Sequence, residues 1–77
     1  MWLRAYTQDK KTEIQVEVSA ISRVGKAVRV FASWSPYSWV IDVEDPLAAL
    51  DSIYEAQANR RATYSLVCQQ ITCHYLR

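Results

Sequence analysis

The sequence predicts an α+β fold, a small, mostly antiparallel sheet packed on one amphipathic helix, with the element order β-β-β-β-α-β. Three observations carry the expectation. Apolar residues alternate with polar ones from Ile14 to Ala20 and again from Val28 to Trp34, which is the strand period of two. Asp45-Pro46 opens a stretch whose apolar residues recur at helical spacing, a combination that marks a helix start. The chain has 77 residues, 51% of them hydrophobic, and a net charge of +1. That is enough for one small core (residues 1–77 read as a single domain) and too apolar for a disordered segment.

Trp2 to Thr7 reads as a short strand, closed by the polar run Gln8-Asp9-Lys10-Lys11. In the next stretch Ile14, Val16, Val18 and Ala20 alternate with Gln15, Glu17, Ser19 and Ile21. After Gly25 the pattern resumes as Val28, Val30, Ala32 and Trp34. A type I turn over Ser22-Arg23-Val24-Gly25, with the glycine left-handed, gives a three-residue hairpin loop. This register sets Ile14 opposite Trp34, Val16 opposite Ala32, Val18 opposite Val30 and Ala20 opposite Val28, all on one face. A two-residue loop at Val24-Gly25 mixes the faces and is disfavoured. Ser35-Pro36-Tyr37 ends this strand, because proline cannot donate to a central ladder. Ser38 to Val43 is the fourth strand, with Trp39, Ile41 and Val43 on one side.

Asp45 can cap free amides, and Pro46 suits the first helical position, where no donor is needed. Leu47, Leu50, Ile53, Tyr54 and Ala58 form the expected core stripe. Asn59-Arg60-Arg61 ends the helix, with cations favourable near its C-terminus. The tail, residues 62–77, fits a helical stripe through Tyr64, Val67, Cys68, Ile71 and Tyr75. Its Thr63, Tyr64, Val67, Ile71, Thr72 and Tyr75 nevertheless prefer strands. A long, bulged strand is the favoured reading, and a helix is the alternative.

Several function classes find no support. No apolar run approaches the ~18 residues of a membrane span. The start, Met1-Trp2-Leu3-Arg4-Ala5-Tyr6, lacks the basic and long apolar regions of a signal peptide, so a soluble, cytoplasmic protein is expected. A single glycine is incompatible with glycine-rich phosphate loops and dinucleotide fingerprints. There is no nucleophile elbow, and the one histidine, His74, lies near the C-terminus. No catalytic residue and no cofactor is therefore assigned, and the expectation is a protein that is not an enzyme. Cys68, Cys73 and His74 form C-x4-C-H, but zinc takes four ligands, usually in paired spacings. On a strand Cys68 and Cys73 face opposite sides, so no metal site is assigned. Five residues apart, the cysteines lie ~16 Å apart on a strand and ~140° apart on a helix. Neither suits a disulfide, and two free thiols fit a reducing cytosol.

What remains is binding. Through residue 34 the cations Arg4, Lys10, Lys11, Arg23, Lys26 and Arg29 outnumber Asp9, Glu13 and Glu17. Beyond it Asp42, Glu44, Asp45, Asp51 and Glu55 outnumber Arg60, Arg61 and Arg77, and no Lys or Arg occurs from Val30 to Asn59. The simplest account of the acids is helix N-terminal complementation and a solvated face. A sharper one is a surface that docks on a basic partner. Beside it, Trp34-Ser35-Pro36-Tyr37-Ser38-Trp39 supplies aromatics that serve either as core anchors or as an interface.

The expected function is a non-catalytic protein-binding module, an adaptor or inhibitor that occludes or scaffolds a larger partner through Tyr37, Trp39, Glu44, Asp51 and Glu55. Inhibitors of the phage counter-defence kind have this size and this lack of catalytic motifs, a likeness of style with no residue motif behind it. The alternative is a small nucleic-acid-binding module using Lys10, Lys11, Arg23, Lys26, Arg29 and Phe31, the phenylalanine stacking on a base. In that hairpin Arg29 is expected opposite Ser19, within diagonal reach of Glu17. A third possibility is a subunit or homodimer built through an exposed sheet edge.

Overall fold

The computed structural model describes residues 1–75, so the last two residues of the tail lie outside the described residues. The elements are β1 (Trp2–Thr7), β2 (Glu13–Val24), β3 (Ala27–Ala32), β4 (Tyr37–Asp42), α1 (Pro46–Ala58), β5 (Thr63–Cys68) and β6 (Gln70–Tyr75). They form one six-stranded sheet in the order β5-β1-β2-β3-β4-β6, with α1 packed against it. The α+β class is as expected. The sheet is mixed, however. Strands β1 to β4 are an antiparallel meander, β6 is antiparallel to β4, and β5 runs parallel to β1. The helix α1 is neither long nor apolar enough to cross a membrane.

The tail is strand, but in two pieces on opposite sides of the meander. Only Gln69 separates β5 from β6, so the two outermost strands are covalent neighbours and the sheet must curl. Gln69 N–H donates to the Asp42 carbonyl at 2.8 Å, and Gln8 N–H donates to the Cys68 carbonyl at 3.2 Å. The ends of β4 and β1 are thereby tied to the junction. The curl encloses Leu3, Ala5, Val16, Val18, Val28, Val30, Ile41, Leu66 and Cys68, and α1 closes the core with Ala49, Leu50 and Ile53.

The central hairpin corrects the expected register. Its loop is Gly25-Lys26, with Val24 opposite Ala27. Gly25 alone of the two has a positive φ, 59°, the pattern of a type II′ turn, which matches strand twist where a type I turn splays it. Val30 thus faces Ile21 rather than Val18, and Arg29 faces Ser22 rather than Ser19. The Arg29–Glu17 ion pair does not form; the ion pair found among the described residues is Arg4–Glu13, at 2.9 Å. Carried along β2 unbroken, this register would turn Val18 outward. A bulge at Ser19 prevents it, and Val18 pairs with Ala32. The Ser19 hydroxyl donates to the Phe31 carbonyl at 3.1 Å, so the displaced residue supplies a side-chain hydrogen bond at the gap. One inserted residue lets Val16, Val18 and Ile21 all face the core and leaves Ala20 exposed. Trp34 is not on the inner face. It lies beyond the end of β3, where alternation no longer sets its direction, and is 71% exposed.

The helix starts as expected. Asp45 caps it by accepting the Ala48 N–H at 3.1 Å, and Pro46 opens the first turn. The buried stripe is narrower than expected: Ala49, Leu50, Ile53 and Ala56. Leu47, Tyr54 and Ala58 are exposed. Alanines at 49 and 56 let the helix sit close inside the curled sheet, which turns the bulkier Leu47 and Tyr54 to the other side. At the C-terminus Arg61 N–H reaches the Ala56 carbonyl and Arg60 N–H the Gln57 carbonyl, a Schellman pairing. Its left-handed position, usually glycine, is Arg60 with φ 56°.

Candidate protein-binding surface

At 100° per residue, the buried residues of α1 occupy one arc and leave Leu47, Asp51, Tyr54, Glu55 and Ala58 together on the opposite arc of about 100°. All five are exposed, Leu47 by 60% and Tyr54 by 50%. The outward face of α1 therefore carries two large apolar groups, Tyr54 and Leu47, with the carboxylates of Asp51 and Glu55 beside them on one side. Asp51 and Glu55 have no ion-pair partner among the described residues. Glu55 lines an open concavity of about 230 Å³ with Ser52, Asn59, Arg61 and Tyr64. Glu44, exposed just before the helix, borders a larger one of about 450 Å³ that also includes Lys26, Asp42 and Gln70.

The aromatic candidates form a separate group on the sheet. Tyr37 is 44% exposed and packs on Tyr75 with ring centroids 5.1 Å apart. Trp39 is half-buried against the core, between Val30 and Cys73 in the sheet register. It joins Ile41 and Val43 as the alternation predicts. Among the five sequence-selected residues, then, Asp51 and Glu55 share one helix face, Glu44 precedes that helix, and Tyr37 and Trp39 belong to β4.

The six residues of the nucleic-acid alternative are dispersed. Lys10 and Lys11 sit in the β1–β2 turn, and Arg23 and Lys26 flank the β2–β3 turn at the other end of β2. Between these ends lie the twelve residues of β2. Arg29 and Phe31 are half-buried on β3, on the face turned away from the core. Arg23 donates to the Gly25 carbonyl at 3.3 Å, and Lys10 shares an open concavity with Arg4, Tyr6 and Glu13. No single basic patch results.

No family model, curated protein or solved structure matches the chain. The functional reading rests on its own residues.

The resolved protonation shifts fall away from the helix face. Asp9 is held below the ordinary carboxylate range, first by the Thr7 hydroxyl at 2.6 Å and then by the Lys11 N–H at 3.0 Å. Glu13 is lowered mainly by its hydrogen bond from Arg4, and Arg4 is raised mainly by the same bond. The Arg4 guanidinium also lies 4.6 Å from the centre of the Tyr6 ring. These interactions fasten the β1–β2 hairpin. Burial raises the Cys68 thiol, with Asp42 adding to the effect; Cys68 Sγ donates to the Tyr6 carbonyl at 3.3 Å. Cys68 is buried, Cys73 exposed, and both are free.

Sequence reasoning missed Leu47 and Tyr54 as surface residues. The signal that could have found them is the pair Ala49 and Ala56, seven apart on the helix: small residues mark the side of closest approach.

Proposed function

We propose that the chain is a non-catalytic protein-binding module, an adaptor or inhibitor whose helix α1 docks on a larger partner with a basic surface. The observation that supports this is the outward face of α1, where exposed Leu47 and Tyr54 lie beside the carboxylates of Asp51 and Glu55. Apolar side chains of this kind contribute roughly 1.5–3 kcal/mol each when fully buried, while carboxylates beside them govern orientation and association rate. Glu44, exposed just before the helix, adds a third carboxylate near its start. Tyr37, and Trp39 beneath it, offer a second aromatic contact on β4. The same carboxylates disfavour a phosphate backbone, and the dispersal of Lys10, Lys11, Arg23, Lys26, Arg29 and Phe31 weakens the nucleic-acid alternative. Two free thiols suit a reducing, cytoplasmic setting.

The test is quantitative affinity capture from the native host with the wild-type chain beside the Asp51→Lys, Glu55→Lys variant. The reading expects a partner that the wild type recovers and the variant depletes at least tenfold. Equal recovery by both removes the helix face from consideration. A filter-binding titration at two salt concentrations tests the alternative, which requires steeply salt-dependent DNA or RNA binding.

A further inference from the structure

Among the described residues β6 pairs on one side only, with β4, so the peptide groups of its other side have no strand partner. Proteins ordinarily guard such edges with lysines, prolines, bulges or very short strands. β6 has none of these. Gln70-Ile71-Thr72-Cys73-His74-Tyr75 contains no Lys, Arg, Asp, Glu, Pro or Gly, and it pairs with β4 in an unbroken register. Every residue of it except the half-buried Ile71 is exposed. The opposite outer strand, β5, differs, because α1 packs against it and its Leu66 and Cys68 are buried.

The alternation of β6 is also self-complementary. Pairing with β4 places Ile71, Cys73 and Tyr75 on one face, beside Ile41, Trp39 and Tyr37, and puts Thr72 and His74 on the other. In a twofold antiparallel pairing centred on Cys73, Ile71 meets Tyr75 of the second copy and Cys73 meets its own equivalent. On the other face Thr72 meets His74. Apolar groups meet apolar, polar groups meet polar, and no like charges oppose each other. Centring on Thr72 instead leaves Tyr75, the largest side chain of the strand, without a cross-strand partner.

We propose that β6 is a homodimerisation edge, through which two copies join antiparallel about Cys73 into one continuous sheet. The Tyr37–Tyr75 contact, at 5.1 Å, then becomes part of an apolar row that continues onto Ile71 of the second copy. A joint of five paired residues per chain is smaller than a standard interface of roughly 1,600 Å², so the equilibrium is concentration-dependent. The surface is isologous, as a closed dimer requires, and it is independent of the helix face.

Sedimentation equilibrium of the full chain from roughly 10 µM to 1 mM, the range in which small interfaces saturate, reads the outcome. The mass is expected to rise across that range from near the monomer's towards the dimer's. A Cys73→Lys variant, which places two like charges on the twofold axis, is expected to weaken association at least tenfold with an unchanged circular dichroism spectrum. In the wild type, a short bis-maleimide is expected to link the two copies through Cys73, mapped by peptide mass spectrometry. A strict monomer at the highest concentration overturns the proposal. So does a dimer that forms equally well with Cys73→Lys, or one in which the crosslinker does not join Cys73 to Cys73.

Discussion

Substituting Ile53 and Tyr54 one at a time tests the helix orientation on which the proposed surface depends. These neighbours belong to the same apolar stripe in the sequence, yet Ile53 is fully buried and Tyr54 is half exposed. Ile53→Ala removes three carbon groups, worth about 0.8 kcal/mol each in transfer free energy. The curled sheet and Ala49 cannot collapse fully into the space, so a cavity cost adds to this, and the total falls at about 3 kcal/mol. In a chain of this length each kcal/mol moves the melting temperature by roughly 4–8 °C, so Ile53→Ala is expected to lower it by roughly 12–24 °C. Tyr54→Ala removes a larger side chain from the opposite arc and replaces it with a better helix former. Its expected change is within about 0.5 kcal/mol. Urea denaturation of both variants, with thermal melts as a check, measures the difference. A Tyr54→Ala loss equal to that of Ile53→Ala, or an Ile53→Ala loss under about 1 kcal/mol, would refute the orientation and with it the exposed face.

Two further outcomes follow from the turns. Arg60 holds a left-handed conformation that costs a non-glycine residue roughly 1–2 kcal/mol, partly offset in Arg60→Gly by the greater freedom of glycine in the unfolded chain. The variant is therefore expected to gain about 0.5–1 kcal/mol and to melt a few degrees higher; a lower melting temperature contradicts the Schellman assignment. Asp9 and Glu13 both titrate below their ordinary values, so the unfolded chain binds protons first as the pH falls. Their contribution to stability is fully present above about pH 5, where both carboxylates are ionised in the unfolded chain as well, and is lost as pH falls through the lowered native values. Urea midpoints should decline in that acid range, and less steeply in Asp9→Asn, Glu13→Gln; an identical decline in the variant contradicts the turn's electrostatics.

The local signals in the sequence were largely sufficient for the elements. Period-two alternation marked β2 and β3, proline marked the break before β4, and Asp45-Pro46 marked the helix start. Intrinsic preference identified the tail as strand. What local pattern could not convey was how the strands meet. The Ser19 bulge depends on a hydroxyl reaching the Phe31 carbonyl across the hairpin, and alternation read without a bulge assigns a different register. The split at Gln69 depends on contacts with both Asp42 and Gln8, distant in sequence. The single strand expected of the tail therefore became two, on opposite sides of the meander, one of them parallel to β1. The same curl decided which side of α1 is buried. It moved Leu47 and Tyr54 from the expected core to the surface, beside the carboxylates of Asp51 and Glu55 that charge distribution had already singled out.

The most direct test of the proposed binding role is a hydrogen-exchange footprint of the chain with its captured partner bound. Docking through α1 predicts slowed exchange concentrated in the helix around Leu47, Asp51, Tyr54 and Glu55, with little change in the β2–β3 hairpin around Arg23, Lys26 and Arg29. Protection centred on that hairpin, with α1 unchanged, would contradict the account.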